Sequence, residues 1–241
     1  MSDRPYTPAE EQARKLRSRQ LLTYLIIFAI VMFFAGLTSA YVVSMSGGYW
    51  VDIRIPTAFY YSTAFILLSS VLAQWALFSA KRDAIARVPV LLGLALGLGI
   101  AFTVSQFQGW SELVARGNFV VGRVLQNSGV HGVDYSISLK GQPLVLEGQE
   151  FYLADDVARS RPLNAELEEQ KNTASSYLYA LTVAHLAHLL AGLVGLIVML
   201  IMALLGRYTS GSFAGLWSGV LYWHFLAGLW VYLLLFFRFV H

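Results

Sequence analysis

No cysteine occurs anywhere in the 241 residues. That excludes disulfides, thiolate metal sites, iron–sulfur clusters and cysteine nucleophiles, so any metal would have to be held by histidines and carboxylates. Charge is scarce as well: Asp, Glu, Lys and Arg make up 13% of the chain, 57% is hydrophobic, and the mean hydropathy is +0.59. A soluble domain carries about 25% charged residues, so the composition is that of an integral membrane protein. No Asp, Glu, Lys or Arg falls in the middle of a long apolar stretch, which argues against a proton pump, a cation exchanger or a voltage sensor. There is no internal repeat of 20–50 residues, no nucleophile–base pair and no Gly-rich phosphate loop. The formal charge of +3 comes from basic residues beside apolar spans rather than from an aromatic-interleaved patch, and no nucleic-acid partner is expected.

What is present is apolar sequence in lengths that match a bilayer. Crossing a hydrocarbon core of about 30 Å takes about 20 helical residues, and five stretches qualify: Leu21–Val43, Pro56–Phe78, Val88–Gly109, Tyr177–Leu205 and Phe213–Phe237. The first is too long for a cleavable signal peptide and lacks a small-residue cleavage site. Arg4, Arg14, Lys15, Arg17, Arg19, Lys81, Arg82, Arg87 and Arg207 share one side of the membrane. The other side has Arg54, Arg238 and six spread along a connection of more than sixty residues. The positive-inside rule then predicts a cytoplasmic N-terminus and a C-terminus across the membrane. The expected organisation is a basic amphipathic segment at 1–20, transmembrane helices 1–3 at 21–111, an outer (periplasmic) insert at 112–174 and helices 4–5 at 175–241. Thr7, Pro8 and Glu10 have the pattern of a capping box that starts a short basic helix.

The insert is the one soluble-looking region. "NFVVGRVLQ", "VDYSISL" and "PLVLEGQEFYL" read as short strands separated by turn residues, followed by an acidic helical stretch around Ala165–Lys171. It holds nine of the fourteen acidic residues, which suits either a solvated loop or a docking surface for a basic partner. The fold class is therefore an all-α membrane protein, a bundle of five transmembrane helices with a small β-containing outer insert between helices 3 and 4.

Polar residues inside the spans are few: Gln74, Ser105, Gln106, Gln108, His185, His188 and His224. His185 and His188 are three apart and share a helix face. With His224 opposite one of them they would suit a bis-histidine haem; histidines hydrogen-bonded across helices explain the same positions. Gly93/Gly97 and Gly192/Gly195 mark candidate close approaches of helices. Trp50, Trp75, Trp110 and Trp217 lie near span ends as interfacial anchors, while Trp223 and Trp230, seven apart, line one face of the last helix.

The last span, "YWHFLAGLWVYLLLF", resembles the final helix of cytochrome c oxidase subunit III through Tyr222, Trp223, His224, Phe225 and Trp230. "LTVAHLAHLLAGL" is similar to that family's preceding helix through Leu181, Thr182, His185, His188 and Gly192. "MFFAGLTSAY" matches at Met32, Phe33, Phe34, Ala35, Gly36, Ala40 and Tyr41; "STAFILLSS" and "FTVSQFQGW" resemble the two helices between. The family usually has seven helices, of which these correspond to the last five, with the orientation read from the charges. The outer insert is extra. Three of the family's carboxylate positions hold Ile30, Gly109 and Ala227 here, so no role of those acids is carried over.

The resemblance implies a non-catalytic subunit of a bacterial haem–copper terminal oxidase in the inner membrane. Haem and copper would reside in the partner catalytic subunit, with no cofactor or metal on this chain. His185, His188, Tyr222, Trp223, His224 and Trp230 would be packing and hydrogen-bonding residues; Arg17, Arg19, Trp75 and Trp110 would be candidate lipid or interface contacts. The expected partners are the catalytic subunit, other oxidase subunits and membrane phospholipid, with cytochrome c or a neighbouring respiratory complex at the insert. A partner of a quinol oxidase or nitric oxide reductase fits the same resemblance, and a cytochrome b with His-ligated haem is the rival from another class.

Overall fold

The computed structural model describes residues 8–208 and 214–240. In chain order its elements are α1 (Pro8–Gly47), β1 (Tyr49–Ile53), α2 (Thr57–Lys81), α3 (Val88–Ala115), β2 (Tyr135–Leu139), β3 (Gln142–Glu147), β4 (Glu150–Leu153), α4 (Asn164–Glu169), α5 (Thr173–Leu204) and α6 (Ala214–Phe239). Five of these helices, all but α4, are long and apolar enough to cross a membrane. They follow the five hydropathic stretches, because only intrahelical bonding satisfies the backbone in lipid. The basic segment and the first span form one unbroken helix, α1, on which Arg17 and Arg19 are exposed. Thr7, read as its cap, and Phe213, read as the start of the last span, lie outside the described residues.

The strands are antiparallel in the order β1-β2-β3-β4. Lys140 and Gly141 join β2 to β3 with φ of 49° and 84°, the left-handed pair that a tight two-residue hairpin turn needs. Gly148 at φ 65° opens the turn between β3 and β4. Two expectations change here. The first strand comes from the short connection after α1 rather than from the long insert, with Tyr49 opposite Leu139 and Ile53 opposite Tyr135. A period-2 pattern of only five residues beside a helix end carried no strand signal of its own; pairing with β2 supplied it. "NFVVGRVLQ" is not a strand: it holds a 3-10 turn at Val124–Gln126 and one bridge, Arg123 to Lys171, because the Val124 N–H bonds the Gln170 carbonyl at 3.0 Å instead of a ladder partner.

The chain divides into two compact units. The first comprises the described residues up to Phe33, Phe65–Ala101 and the described residues of His188–Leu229; the second comprises Phe34–Ala64, Phe102–Ala187 and the described residues from Trp230 on. In the first, the indole of Trp223 (α6) is fully buried in a slot cut by two glycines. A Cβ on Gly99 (α3) would stand 3.0 Å from that ring and 2.8 Å from Leu193, and one on Gly192 (α5) would stand 3.0 Å from the ring and 2.7 Å from Leu226. In the second, Tyr41 is fully buried with Trp50, Phe236 and Tyr177 around it at ring-centroid distances of 4.8, 5.0 and 5.7 Å. Trp230 packs edge-on against Phe102 and Phe59 at 5.1 and 5.3 Å. These edge-to-face contacts are the favoured aromatic geometry, and in lipid such packing replaces the hydrophobic drive that soluble helices use.

The glycines expected at close approaches are only partly the ones that matter. A Cβ on Gly93, Gly97 or Gly195 would meet nothing within 4 Å, whereas Gly99, Gly109, Gly192 and Gly219 have no room for one. GxxxG spacing shows that a helix has a small-residue face; it does not show which residues a bulky neighbour overlies. Among the glycines of the spanning helices, Gly109 is the tightest against a rigid group, since its Cβ would lie 2.2 Å from the buried ring of Phe59. Gly109→Ala is therefore expected to destabilise the purified chain by about 1–3 kcal/mol. Gly195→Ala should be neutral or slightly stabilising; detergent-denaturation midpoints of the two variants check the contrast.

Candidate functional site

The group of polar side chains with the most connections in the first unit is centred on the Tyr222–Trp223–His224 triplet of α6. His224 lies against α2, where Ser70 and Gln74, one turn apart, face the same way. Its Nδ1 is hydrogen-bonded to the Ser70 hydroxyl, and its Nε2 is 2.8 Å from Oε1 of Gln74. An amide oxygen only accepts, so Nε2 carries the proton and Nδ1 accepts from Ser70. Both ring nitrogens are thus engaged. Trp223 donates from Nε1 to the Ser69 hydroxyl at 3.0 Å, and Ser69 donates to the Ala95 carbonyl of α3 at 2.7 Å. Tyr222 donates its hydroxyl proton to the His188 carbonyl of α5 at 3.2 Å.

The second unit repeats the device. Trp230 donates to the Thr63 hydroxyl at 3.0 Å while Thr63 donates to the Phe59 carbonyl. Gln106 donates to Ser62, Trp110 to Thr182 and Tyr232 to Thr38, at 3.0, 3.1 and 3.1 Å, and each of those hydroxyls donates in turn to a carbonyl of its own helix. A hydroxyl has one proton and two lone pairs, so it can return its proton to the local backbone and still receive an indole or amide N–H or a phenol O–H from a neighbouring helix.

The three membrane histidines take separate places. His185 is fully buried, with Trp230 at 5.3 Å and Phe102 at 5.9 Å between ring centroids. His188 is half-buried with Phe33 at 6.2 Å. His224 meets serine and glutamine rather than an opposing histidine. Among the described residues no three His, Asp or Glu side chains converge as a metal site needs.

Of the tryptophans read as anchors, Trp75 is exposed and Trp217 is half-buried edge-on to Tyr24. Trp110 is half-buried and held by Thr182. Trp50 departs from the expectation: β1 carries it beneath the sheet onto Tyr41, where it is 3% exposed. The hydroxyls Thr38, Ser62, Thr63, Ser69 and Ser70 were missed by the sequence reading. Spacing gives no clean signal for them: Trp230 and Trp223 are seven apart, whereas the hydroxyls that receive them, Thr63 and Ser69, are six apart.

Ile30 and Ala227 are buried, and a Cβ on Gly109 would meet the Phe59 ring. In the insert, three of the nine acids pair with its own arginines: Glu112 with Arg116 at 2.5 Å, Glu147 with Arg159 at 2.7 Å and Glu166 with Arg161 at 2.5 Å. Glu166 also receives the Tyr49 hydroxyl at 2.8 Å, which ties β1 to α4. Burial and then this carboxylate push the Tyr49 phenol up to about 12. His131 packs edge-on to Phe151 and Tyr135, and no partner among the described residues meets its buried Nε2.

Comparison of the chain with protein-family models and with curated proteins finds no match.

Two outcomes follow from these contacts. Ser69→Ala leaves the buried Trp223 N–H without an acceptor and is expected to cost about 1–3 kcal/mol, while adding Trp223→Phe should cost less than the sum of the two singles; a double-mutant cycle on detergent denaturation measures it. Burial holds the His131 imidazole below its usual value of 6.5. The unfolded segment then binds the proton first, so local stability is full above 6.5 and declines as pH falls below it. Amide exchange in β2 and β4, corrected for intrinsic rate, should lose protection between pH 7.5 and 5.5 in the wild type and not in His131→Phe.

Proposed function

We propose that this chain is a non-catalytic, subunit III-like component of a bacterial haem–copper terminal oxidase, packed in the inner membrane beside the catalytic subunit that holds haem and copper. The N-terminus is on the cytoplasmic side, where nine of the seventeen Lys and Arg residues cluster. The chain carries no electrons; its part is to support assembly and durability of the catalytic subunit. One observation carries the reading: the residues through which separate helices resemble the subunit III family are the residues that touch one another. Tyr222, Trp223 and His224 of α6 reach His188 of α5 and Ser69 and Ser70 of α2, and Trp223 fills the slot at Gly192. Thr182 holds Trp110, and His185 stacks on Trp230. A set of motifs that serves one another across helices supports a shared packing scheme rather than chance likeness in apolar sequence.

His224 belongs to that scheme as a hydrogen-bonding residue. Ligation of iron would require its Nδ1 to give up Ser70 or its Nε2 to give up Gln74, which weighs against the cytochrome b alternative. At the outer insert, Glu168 and Glu169 are exposed and are the acids that a basic electron donor such as cytochrome c would meet.

The test is to tag the chain, solubilise membranes mildly, and record a reduced-minus-oxidised spectrum and a subunit list. The expected result is a co-purifying haem–copper subunit, with the chain colourless once stripped from it. A haem band that stays with the stripped chain and vanishes in His224→Ala would overturn the proposal.

A further inference from the structure

Just past α3, in the second unit, the chain exposes apolar side chains while hiding its backbone. Gly117, at φ 80°, ends the helix, and the segment that follows shows Phe119 (41%), Val120 (56%) and Val121 (79%) on the surface. Its carbonyls are not left to solvent. Tyr179 donates to that of Asn118 at 3.0 Å, Ser175 to that of Phe119 at 2.8 Å, Ser176 to that of Val120 at 2.7 Å, and the Asn172 N–H to that of Gly122 at 2.8 Å. Four of the five carbonyls of residues 118–122 are thus taken by α5 and the residue before it. A loop in water can leave its carbonyls to solvent, whereas one in contact with acyl chains has to satisfy them within protein.

Apolar surface also runs without a break from a spanning helix onto this segment. Val104, Phe107 and Val114 of α3 are exposed. A groove of about 510 Å³ joins them to it, lined chiefly by Phe107, Trp110, Val114, Phe119, Val120 and Tyr179. The Trp110 indole is bonded to Thr182 and the Tyr179 phenol to the Asn118 carbonyl, so neither requires a polar occupant. Arg116 and Arg123 flank the apolar residues in sequence, the arrangement of an interfacial anchor whose cations stay at headgroup level.

We infer that the 119–121 segment is an interfacial anchor, immersed where headgroups meet acyl chains in the leaflet on the insert's side, with a phospholipid acyl chain in the groove beneath it. Lipid is selected by continuity with the surface of a spanning helix and by the carbonyl bonds, which leave no polar edge for a second protein to pair with. The first part of the insert then belongs to the membrane and fixes the level at which α3 ends and α5 begins. The inference rests on the spanning helices alone, so it stands or falls apart from the oxidase reading.

Because the chain has no cysteine, a single label is unambiguous. Nitroxides at Val114→Cys, Val120→Cys and Val121→Cys are placed one at a time in the full chain, purified with whatever accompanies it and reconstituted in vesicles of phosphatidylcholine and phosphatidylglycerol. Their collisions with oxygen, which concentrates in lipid, and with a water-soluble nickel chelate are measured. Val104→Cys on α3 is the lipid reference, and Val157→Cys, 88% exposed in the insert, is the water reference. The expected result is that all three sites lose most of the nickel collisions seen at Val157 and gain oxygen collisions toward the level at Val104. Nickel collisions at Val121 equal to those at Val157 would mean a loop in water, and shielding from both reagents would mean a protein lying over the segment; either overturns the inference.

Discussion

A hydroxyl or indole inside a bilayer has to find its hydrogen-bond partner within protein, and the rest of this structure depends on how that requirement is met. Serine and threonine give their proton to a carbonyl and keep a lone pair for the neighbouring helix. Thr38, Ser62, Thr63, Ser69 and Thr182 all work this way, receiving Tyr232, Gln106, Trp230, Trp223 and Trp110. Each link is worth only about 0.6 kcal/mol on average. Their larger effect is on register, because a helix that slid or rotated by one residue would leave several donors unpaired in an apolar medium at once.

Shape enforces the same register. Trp223 and Trp230 put two large, rigid, fully buried rings on one face of α6, and each unit accommodates one of them by a different route. Glycines at 99 and 192 make the slot for Trp223, whereas Trp230 is boxed by Phe59, Phe102 and His185. Histidine in that box is a flat ring among flat rings. More than half of the apolar window of α6 is buried in the chain, against 22% for α1.

Outside the spans, the sheet binds two connections that are far apart in sequence. Strand β1 follows α1 and pairs with β2 in the insert, and Tyr49 reaches Glu166 on α4. Near α5, Asn172 donates to Asn118 at 3.2 Å and Tyr179 to the Asn118 carbonyl at 3.0 Å, so the polar groups of the insert's two ends satisfy one another. The arginine–carboxylate pairs on its exposed surface add little stability in water; they leave the insert less acidic toward a partner than its composition suggests.

The sequence by itself determined the five helices, since a run of about 20 apolar residues in lipid has only one way to satisfy its backbone, and it marked the hairpin turns, since Gly141 and Gly148 between β-prone runs supply the left-handed backbone that tight turns need. The aromatic and histidine residues of the candidate site were visible because they are rare and costly at depth. Only the tertiary structure decided which of them meet. His185 and His188 differ by one turn of helix, yet one lies among rings in the second unit and the other beside Phe33 in the first, because spacing fixes a shared face and not what lies opposite it. GxxxG pointed to Gly93 and Gly97, while the indole of Trp223 selected Gly99 and Gly192. Serines and threonines, unremarkable in composition, became the acceptors of the site, because whether a hydroxyl is a relay or a bystander depends on which donor the neighbouring helix places over it.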